Sequence, residues 1–340
     1  MSLTPVFKPQ LQEITRVQTL QGWQDLVEVH TLPIGQGDCN IITCNKGNNV
    51  ILFDCGSIGA NFLKNEDFKF LKSYFEKATF LAILISHGDR DHYNQIQKIL
   101  TPSVTPNIQT IVAILGGIRS DYTVKFMKFL DKLTAENIVF HKGLAVGKFC
   151  EDSTIYFDFI DAKTEHPNTD KNQMGMLMKL TCKGCESSLL FAGDMEGKAA
   201  KHFATQKVGR MFLSATHYKM AHHGASNKAN YEQWLKAVSP VEVHVSHKFK
   251  HGSFRHPRCE AYYRILENCP IGTDGPQSHK FTCYETSEKR WKENDIWYRV
   301  YSTAPVKEKV CLISLVFSRG SEARTGYYCA QPERFLSQQG

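Results

Sequence analysis

The sequence predicts a mixed α/β fold in which two β-sheets carry helices on their outer faces. Short apolar segments separated by Gly and Asn occupy residues 27–54, and this spacing predicts early hairpins. Later strand-like segments alternate with segments of helical periodicity, the pattern of sheets covered by helices. The hydrophobic content of 42% and the charged content of 22% over 340 residues are typical of a globular protein.

The first half of the chain opens with strands rich in β-branched residues, and the loop Gly35-Gln36-Gly37-Asp38 separates the first two. Apolar spacing predicts a helix over 62–78, and further helices are expected at 93–100 and near 121–135. The predicted strands of this half are 27–34, 40–44, 49–54, 80–86, 110–115, 137–141 and 154–160.

The second half continues with alternating strands and helices. Its predicted strands are 174–181, 188–193, 217–221, 241–246 and 310–317, and its predicted helices lie near 196–205, 229–238 and 258–268. We expect an N-terminal extension over 1–26, one continuous main domain over 27–285, and a C-terminal extension over 286–340 that packs on the main domain.

Bulk properties narrow the function classes. The net charge of +7 permits an anionic substrate without requiring one. The N-terminus lacks the apolar core of a signal peptide, and no window reaches the ~18 apolar residues of a membrane span, so we expect an intracellular, cytoplasmic protein. Cysteines within apolar runs, such as Cys39, Cys44 and Cys55, predict buried reduced thiols. The lone pair Cys182 and Cys185 predicts a hairpin turn, since a zinc ribbon needs a second pair.

The segment Ser86-His87-Gly88-Asp89-Arg90-Asp91-His92 carries the strongest functional signal. It follows the apolar run 80–85 and places four potential metal ligands within six residues. Carboxylates and imidazoles this close together are costly to bury unless a cation compensates them. An ordinary polar loop would explain one or two of the four, so the segment predicts a metal site.

Further acids and histidines stand just past other predicted strands. Asp54 and Asp194 each end an apolar run, His222 and His223 end another, and His256 follows the strand at 241–246. Loops at one edge of a sheet share a cleft, so these groups are expected to converge. Taken singly, each has an ordinary interpretation as a turn cap or a surface residue.

The ordered motifs resemble those of the metallo-β-lactamase-fold hydrolases. They are His87-x-Asp89-x-Asp91-His92, Gly193-Asp194, His222-His223-Gly224 and His256-Pro257, and their order is similar to the ComEC-type branch, the nuclease-like domain of bacterial DNA-uptake proteins. Three smaller elements also resemble motifs of that branch. Residues 34–38 resemble its VGQGD loop, Asn172 resembles the Asn of its N-x-x-S element, and residues 273–275 resemble its TD-x-x-G element. Ala225 and Gly175 stand where that branch has Ser, and no channel-like region accompanies 28–285, so the resemblance does not extend to DNA uptake.

The resemblance implies a four-layer αβ/βα sandwich with a dinuclear metal site at the edge of its two sheets. His87 and Asp89 would hold one ion, Asp91 and His92 the other, with Asp194 as the bridge and His222 completing the set. Asp38 and Asp54 are expected to orient these ligands, and His223 and His256 to act as a ligand or substrate contact.

The metal set implied by the resemblance is two divalent ions. The commoner form of this fold has His at the position of Asp89, and a carboxylate there makes the site harder and more negative. That exchange shifts the preference from zinc towards manganese or magnesium, and we weigh zinc and manganese equally.

The activity implied by the resemblance is that of a metal-dependent hydrolase with a metal-activated hydroxide, most simply a phosphodiesterase or nuclease acting on DNA or RNA. The expected catalytic residues are Asp91, Asp194, His223 and His256, with His223 or His256 as the proton donor to the leaving group. Two alternatives stay open: hydrolysis of a lactone or thioester on the same site, and a non-enzymatic binding protein that has kept the fold.

A basic and aromatic loop over 247–258 suggests nucleic acid as the substrate. It contains no acid and combines cations suited to phosphate with aromatic rings suited to bases. The alternative is a solvated basic loop whose phenylalanines pack inward. The substrate contacts that we predict are Lys248, Lys250, Phe254 and Arg255.

Overall fold

The structure is a computed structural model, and it describes most of the chain between residues 27 and 330. The N-terminal extension, most of the predicted helix at 62–78 and the loop at 274–275 lie outside the described residues. The internal gaps are 45–46, 59–71, 102–104, 135–137, 141–144, 149–154, 162–171, 173–174, 183–186, 207–208, 210–211, 227–229, 252, 274–278, 297, 305–309 and 318–321.

Most strands of the described part belong to two mixed sheets. The strands are β1 (Val27–Thr31), β2 (Cys39–Cys44), β3 (Asn49–Cys55), β4 (Phe80–Ile85), β5 (Thr110–Leu115), β6 (Ile138–Phe140), β7 (Ala145–Lys148), β8 (Ile155–Asp161), β9 (Met176–Cys182), β10 (Ser188–Phe191), β11 (His217–Lys219), β12 (Glu242–Val245), β13 (His279–Glu285), β14 (Arg290–Ile296), β15 (Val300–Ser302), β16 (Val310–Phe317) and β17 (Arg324–Ala330). One sheet has the order β17-β16-β1-β2-β3-β4-β5-β6, and the other has the order β15-β12-β11-β10-β9-β8-β7, while β13 and β14 form a separate hairpin.

The helices follow the predicted periodicity in most places. The helix predicted at 93–100 is shorter than expected, since it covers only Ile96–Ile99 and a 3₁₀ turn over Arg90–His92 precedes it. The α-helices of the described residues are α1 (Lys72–Phe75), α2 (Ile96–Ile99), α3 (Val124–Leu133), α4 (Gly197–Thr205), α5 (Glu232–Val238) and α6 (Cys259–Asn268).

Three buried apolar clusters define four layers. The central cluster lies between the sheets, where the rings of Phe53 and Phe191 approach to 5.0 Å between centroids. A second cluster packs Leu130 of α3 against the outer face of the first sheet. The third packs Trp234 and Leu235 of α5 against the outer face of the second sheet. The layer order is therefore helix, sheet, sheet, helix, and the predicted αβ/βα sandwich is confirmed.

The C-terminal residues contribute strands to both sheets. Val310–Phe317, the predicted strand that forms β16, pairs antiparallel with β1. The short strand β15 pairs parallel with β12 on the other sheet. None of the helices in the described ranges is both long and apolar enough to cross a membrane.

The cysteine prediction is partly wrong. Cys39 and Cys55 are buried free thiols, as expected, but Cys44 is disulfide-bonded. A second disulfide joins Cys259 of α6 to Cys283 of β13, with their Cα atoms 5.0 Å apart. An apolar neighbourhood suits a thiol and a disulfide equally, so the outcome depends on which elements tertiary packing brings together.

The parallel strands place the predicted site residues at one edge of the sandwich. In the first sheet β3, β4 and β5 run parallel, and in the second β10, β11 and β12 do so. Asp54, Ser86, Asp194 and His222 lie at or just beyond the carboxyl ends of these strands. Carboxyl ends of parallel strands form the usual crevice of an α/β sheet.

Candidate metal centre

Asp54 organises the loop that follows β4. Its Oδ1 accepts a hydrogen bond from the Ser86 amide at 2.7 Å, and its Oδ2 accepts one from the Ser86 hydroxyl at 2.8 Å. The same Oδ2 lies 2.8 Å from Nδ1 of His92. All three side chains are buried. Asp54 therefore anchors both the start and the end of the ligand-rich loop.

Two glycines allow the 34–38 loop and the end of β3 to press against the same ligand loop. A Cβ on Gly37 would lie 2.1 Å from the Gly56 carbonyl oxygen, and one on Gly56 would lie 2.4 Å from the His92 amide nitrogen. The Asp38 amide donates to the carbonyl of Asp91 at 3.2 Å. Any side chain at either glycine would displace the backbone that carries Asp91 and His92.

Four side chains converge at the carboxyl edge, and their ligand atoms all lie within 4.8 Å of one another: Asp91, His92, Asp194 and His223. His92 Nε2 is 3.2 Å from Oδ1 of Asp194. His223 Nε2 is 3.6 Å from Oδ2 of Asp91 and 3.6 Å from Oδ1 of Asp194. The sequence analysis expects His222 to complete the ligand set and His223 to be a ligand or substrate contact, and of the two it is His223 that lies in this group of four.

The remaining predicted ligands lie beside this group. His222 Nε2 faces the other oxygen of Asp194, Oδ2, at 3.6 Å. His87 Nε2 lies 3.6 Å from Oδ2 of Asp89, and the His87 ring is 4.2 Å from the ring of His92 between centroids. Asp194 thus presents one oxygen to His92 and His223 and the other to His222, as a bridging carboxylate would.

The four imidazoles share one orientation. Each Nδ1 has an outer partner: Ser86 Oγ for His87 at 3.0 Å, Asp54 for His92 at 2.8 Å, Glu196 for His222 at 3.3 Å and the Ser246 carbonyl for His223 at 3.2 Å. A partner at Nδ1 fixes the ring and turns the Nε2 lone pair towards the cleft, which is how proteins hold metal-binding histidines.

Several atoms that face the cleft have no hydrogen-bond partner within the described residues. They are Nε2 of His87, His92 and His223 and Oδ1 of Asp194, and all four are buried. Buried polar atoms are nearly always satisfied, so four orphaned atoms in one place call for a missing partner. Nitrogen and carboxylate donors are the ligands of zinc and manganese, and the residues present therefore fit a divalent ion.

The histidine pair sits on a strained backbone. His222 and His223 both adopt left-handed conformations, with φ of 49° and 50°. A non-glycine residue pays a penalty there, and consecutive examples are characteristic of functional sites. The conformation lets two adjacent imidazoles both point their Nε2 atoms at Asp194.

Charge compensation in the cleft is mutual. Burial by itself would raise the pKa of Asp194, but the imidazoles of His222, His92 and His223 hold it well below its usual value. Burial would lower the pKa of His92, but the carboxylates of Asp194 and Asp54 raise it well above its usual value. Asp194 and His92 thus stabilise each other's charged forms across the cleft.

Lys219 is a buried cation beside the site that the sequence analysis missed. Its ammonium lies 2.6 Å from Oδ1 of Asp38, and both side chains are almost fully buried. The same Asp38 oxygen lies 3.9 Å from Nδ1 of His223. The available signal was a lysine at the end of a predicted strand, three residues before the histidine pair.

The basic and aromatic loop adjoins the cleft through His256. The His256 ring lies 5.3 Å from that of His222, and the stacked Phe254 ring is 6.4 Å from His256. Phe254 in turn stacks on His251 at 5.1 Å and is 41% exposed. The row of rings therefore runs from His222, a candidate metal ligand, to the surface.

The three basic residues predicted to contact the substrate lie in this loop, and each has different neighbours. Arg255 packs over the Tyr284 ring at 4.9 Å and donates to the Tyr284 hydroxyl at 3.0 Å. Lys250 is 3.7 Å from Glu293 in an exposed ion pair. The Lys248 amide faces Gln36 of the 34–38 loop at 3.4 Å.

Comparisons with known proteins found solved structures of low similarity to this chain. No protein-family model and no curated protein matches the chain. Among solved structures, the metallo-β-lactamase fold protein YhfI from Bacillus subtilis is 12% identical over 86% of this chain and 99% of that one, with a TM-score of 0.45. Human tRNase Z, short form, is 13% identical over 66% and 93%, with a TM-score of 0.39. Since these values are low, the fold assignment rests on the chain's own layers.

Proposed function

We propose that this chain is a metal-dependent hydrolase, and within that class a phosphodiesterase that cleaves nucleic acid. The observation that carries the proposal is the shared orientation of four imidazoles, in each of which Nδ1 has an outer partner. The Nε2 atoms of His92, His222 and His223 lie 3.2–3.6 Å from Asp194, and that of His87 lies 3.6 Å from Asp89. Preorganised imidazoles with orphaned nitrogens serve a metal better than they serve packing.

The residues divide into two ligand groups around Asp194. Asp91, His92 and His223 with one oxygen of Asp194 would hold one divalent ion, and His87, Asp89 and His222 with the other oxygen would hold a second. When bound, such ions supply an activated water and stabilise the negative charge that develops on a phosphoryl or acyl group. Zinc and manganese both suit this donor set.

His256 contributes a contact rather than a proton. Burial, with the neighbouring His222 and His223, lowers the pKa of His256 to about 3, so its ring is neutral at pH 7. Its Nδ1 is buried and has no hydrogen-bond partner among the described residues. A neutral imidazole with an unbonded nitrogen beside His222 can coordinate a metal ion or form a hydrogen bond to the substrate. We therefore do not assign His256 as the proton donor.

The nucleic acid assignment is supported by the ring row of His256, Phe254 and His251. An exposed ring near a metal site can stack on an unpaired base, and the lysines and arginines of 248–258 would attract the phosphates. We therefore expect single-stranded DNA or RNA to be preferred over duplex.

The test is cleavage of end-labelled single-stranded DNA, duplex DNA and RNA with added zinc or manganese. We expect wild-type cleavage that a chelator abolishes and loss of activity in Asp194→Ala. The same substitution at Asp131, a carboxylate on α3 that pairs with Arg119, should leave activity unchanged. Intact substrates with metal bound would refute the nuclease and favour the lactone or thioester alternative. A protein that binds no divalent metal would refute the hydrolase altogether.

A further inference from the structure

A second group of histidines and a carboxylate lies inside the sandwich. His217 on β11 and Glu242 and His244 on β12 form what we call the inter-sheet cluster, and each is at most 3% exposed. The two strands pair in parallel with His217 opposite Glu242. Glu242 also contacts the hydroxyl of Thr325 on β17, which belongs to the other sheet. The cluster therefore joins the two sheets through their inner faces.

The donor atoms of the inter-sheet cluster converge on one oxygen. His244 Nε2 lies 2.7 Å from Oε1 of Glu242, and His217 Nδ1 lies 3.2 Å from the same atom. His217 Nδ1 nevertheless makes no hydrogen bond within the described part of the chain, although it is buried. The three ligand atoms all lie within 4.8 Å of one another.

The charge of Glu242 needs compensation in this dry environment. Lys219 lies opposite His244 in the strand register of β11 and β12, but its ammonium is 2.6 Å from Asp38 and so already neutralises that carboxylate. A buried carboxylate without a cation is strongly destabilising. A hydrogen-bonded network would satisfy Glu242 through His244 and Thr325, but it would leave the imidazole of His217 at 3.2 Å from the carboxylate without a well-directed hydrogen bond.

We propose that the inter-sheet cluster binds a structural zinc ion, separate from the candidate metal centre, with His217, Glu242 and His244 as ligands and the Thr325 hydroxyl beside the fourth position. Two imidazoles and a carboxylate form a donor set that zinc accepts readily. Around a tetrahedral zinc ion neighbouring ligand atoms lie roughly 3.3 Å apart, so the His217–Glu242 pair already has the required spacing and the His244–Glu242 pair must open by about half an ångström.

The test measures bound zinc after dialysis in a variant whose cleft is disabled, Asp194→Ala/His223→Ala. We expect one zinc ion per chain to remain, and adding His217→Gln and His244→Gln to remove it. The matched control adds His30→Gln instead, a buried histidine that bonds Ser314 in the first sheet, and should retain the zinc. Zinc content that does not respond to the cluster substitutions in folded protein, or no zinc in the folded cleft variant, would overturn the proposal.

A second measurement does not depend on folding of the substituted cluster. The cleft variant with its native inter-sheet cluster is refolded with Co²⁺, and we expect the intense visible absorption of tetrahedral cobalt. Only the weak spectrum of hydrated cobalt would refute the site. Both readouts are independent of hydrolysis, so failure of the proposed function leaves this test intact.

Discussion

Replacing Lys219 by methionine tests the buried ion pair that lies beside the candidate metal centre. Lys219 and Asp38 form an ion pair at 2.6 Å with side chains 2% and 4% exposed. Methionine keeps the aliphatic volume but leaves the Asp38 carboxylate buried without its counter-ion. Burial would raise the pKa of Asp38, and Lys219 is the largest influence that instead holds it below its usual value.

The magnitude follows from the geometry of the pair. With an effective dielectric constant of about 20, two charges at 2.6 Å attract by about 6 kcal/mol. Breaking one partner of a buried pair is expected to lower the free energy of unfolding by about 3–5 kcal/mol. The double variant Lys219→Met/Asp38→Asn removes both charges, so it should lose less than the sum of the single variants by about 2–3 kcal/mol.

The assay is urea unfolding of all four proteins in a chelator, so that metal binding does not contribute. The exposed pair Lys236 and Glu232 on α5 provides the matched control, and Lys236→Met should change the unfolding midpoint little. A coupling energy below about 0.5 kcal/mol between Lys219 and Asp38 would refute the assignment of a buried, mutually dependent pair.

Three further predictions concern the cleft and its surroundings. Asp54→Asn, whose asparagine tolerates the left-handed backbone at φ 51°, should weaken metal affinity about 10–100-fold in a chelator competition, and unchanged affinity would show that Asp54 does not orient His92. Burial lowers the pKa of His247 to about 4, so as the pH falls the unfolded state binds a proton before the folded state does, and the free energy of unfolding should fall by about 3 kcal/mol between pH ~6.5 and ~4. His247→Gln should reduce the dependence of the free energy of unfolding on pH, and an unchanged dependence would contradict the lowered pKa. Phe254→Ala should weaken single-stranded DNA binding by about 1–3 kcal/mol in a titration with chelated metal, while equal binding by both proteins would exclude base stacking.

The ligand chemistry of the cleft was readable from the sequence because it is local. His87, Asp89, Asp91 and His92 stand within six residues after an apolar run, and the structure places that run as β4. The same holds for Asp194 after β10. Strand ends are predictable from short-range patterns, and parallel strands bring their ends to one edge.

The choice between His222 and His223 was not readable. Adjacent histidines look equivalent in a sequence, and which ring reaches Asp91 depends on two successive left-handed residues. The glycine contacts at Gly37 and Gly56 are similar, since only the folded backbone shows that they touch the loop of Asp91 and His92. Contacts between residues that are distant in the sequence set these details, and no local sequence pattern encodes such contacts.

By itself, the sequence determined the two-sheet α/β class, most helices and strands, and the residues that meet at the carboxyl edge. Hydrophobic periodicity and turn chemistry are properties of neighbouring residues, so they survive without a structure. Only the tertiary structure decided that Lys219 neutralises Asp38, that Cys259 is bonded to Cys283, and that His217, Glu242 and His244 meet between the sheets. These contacts join different elements of the fold, and they form because packing two sheets face to face buries charged groups and sulfurs, and a buried charge without a partner is costly.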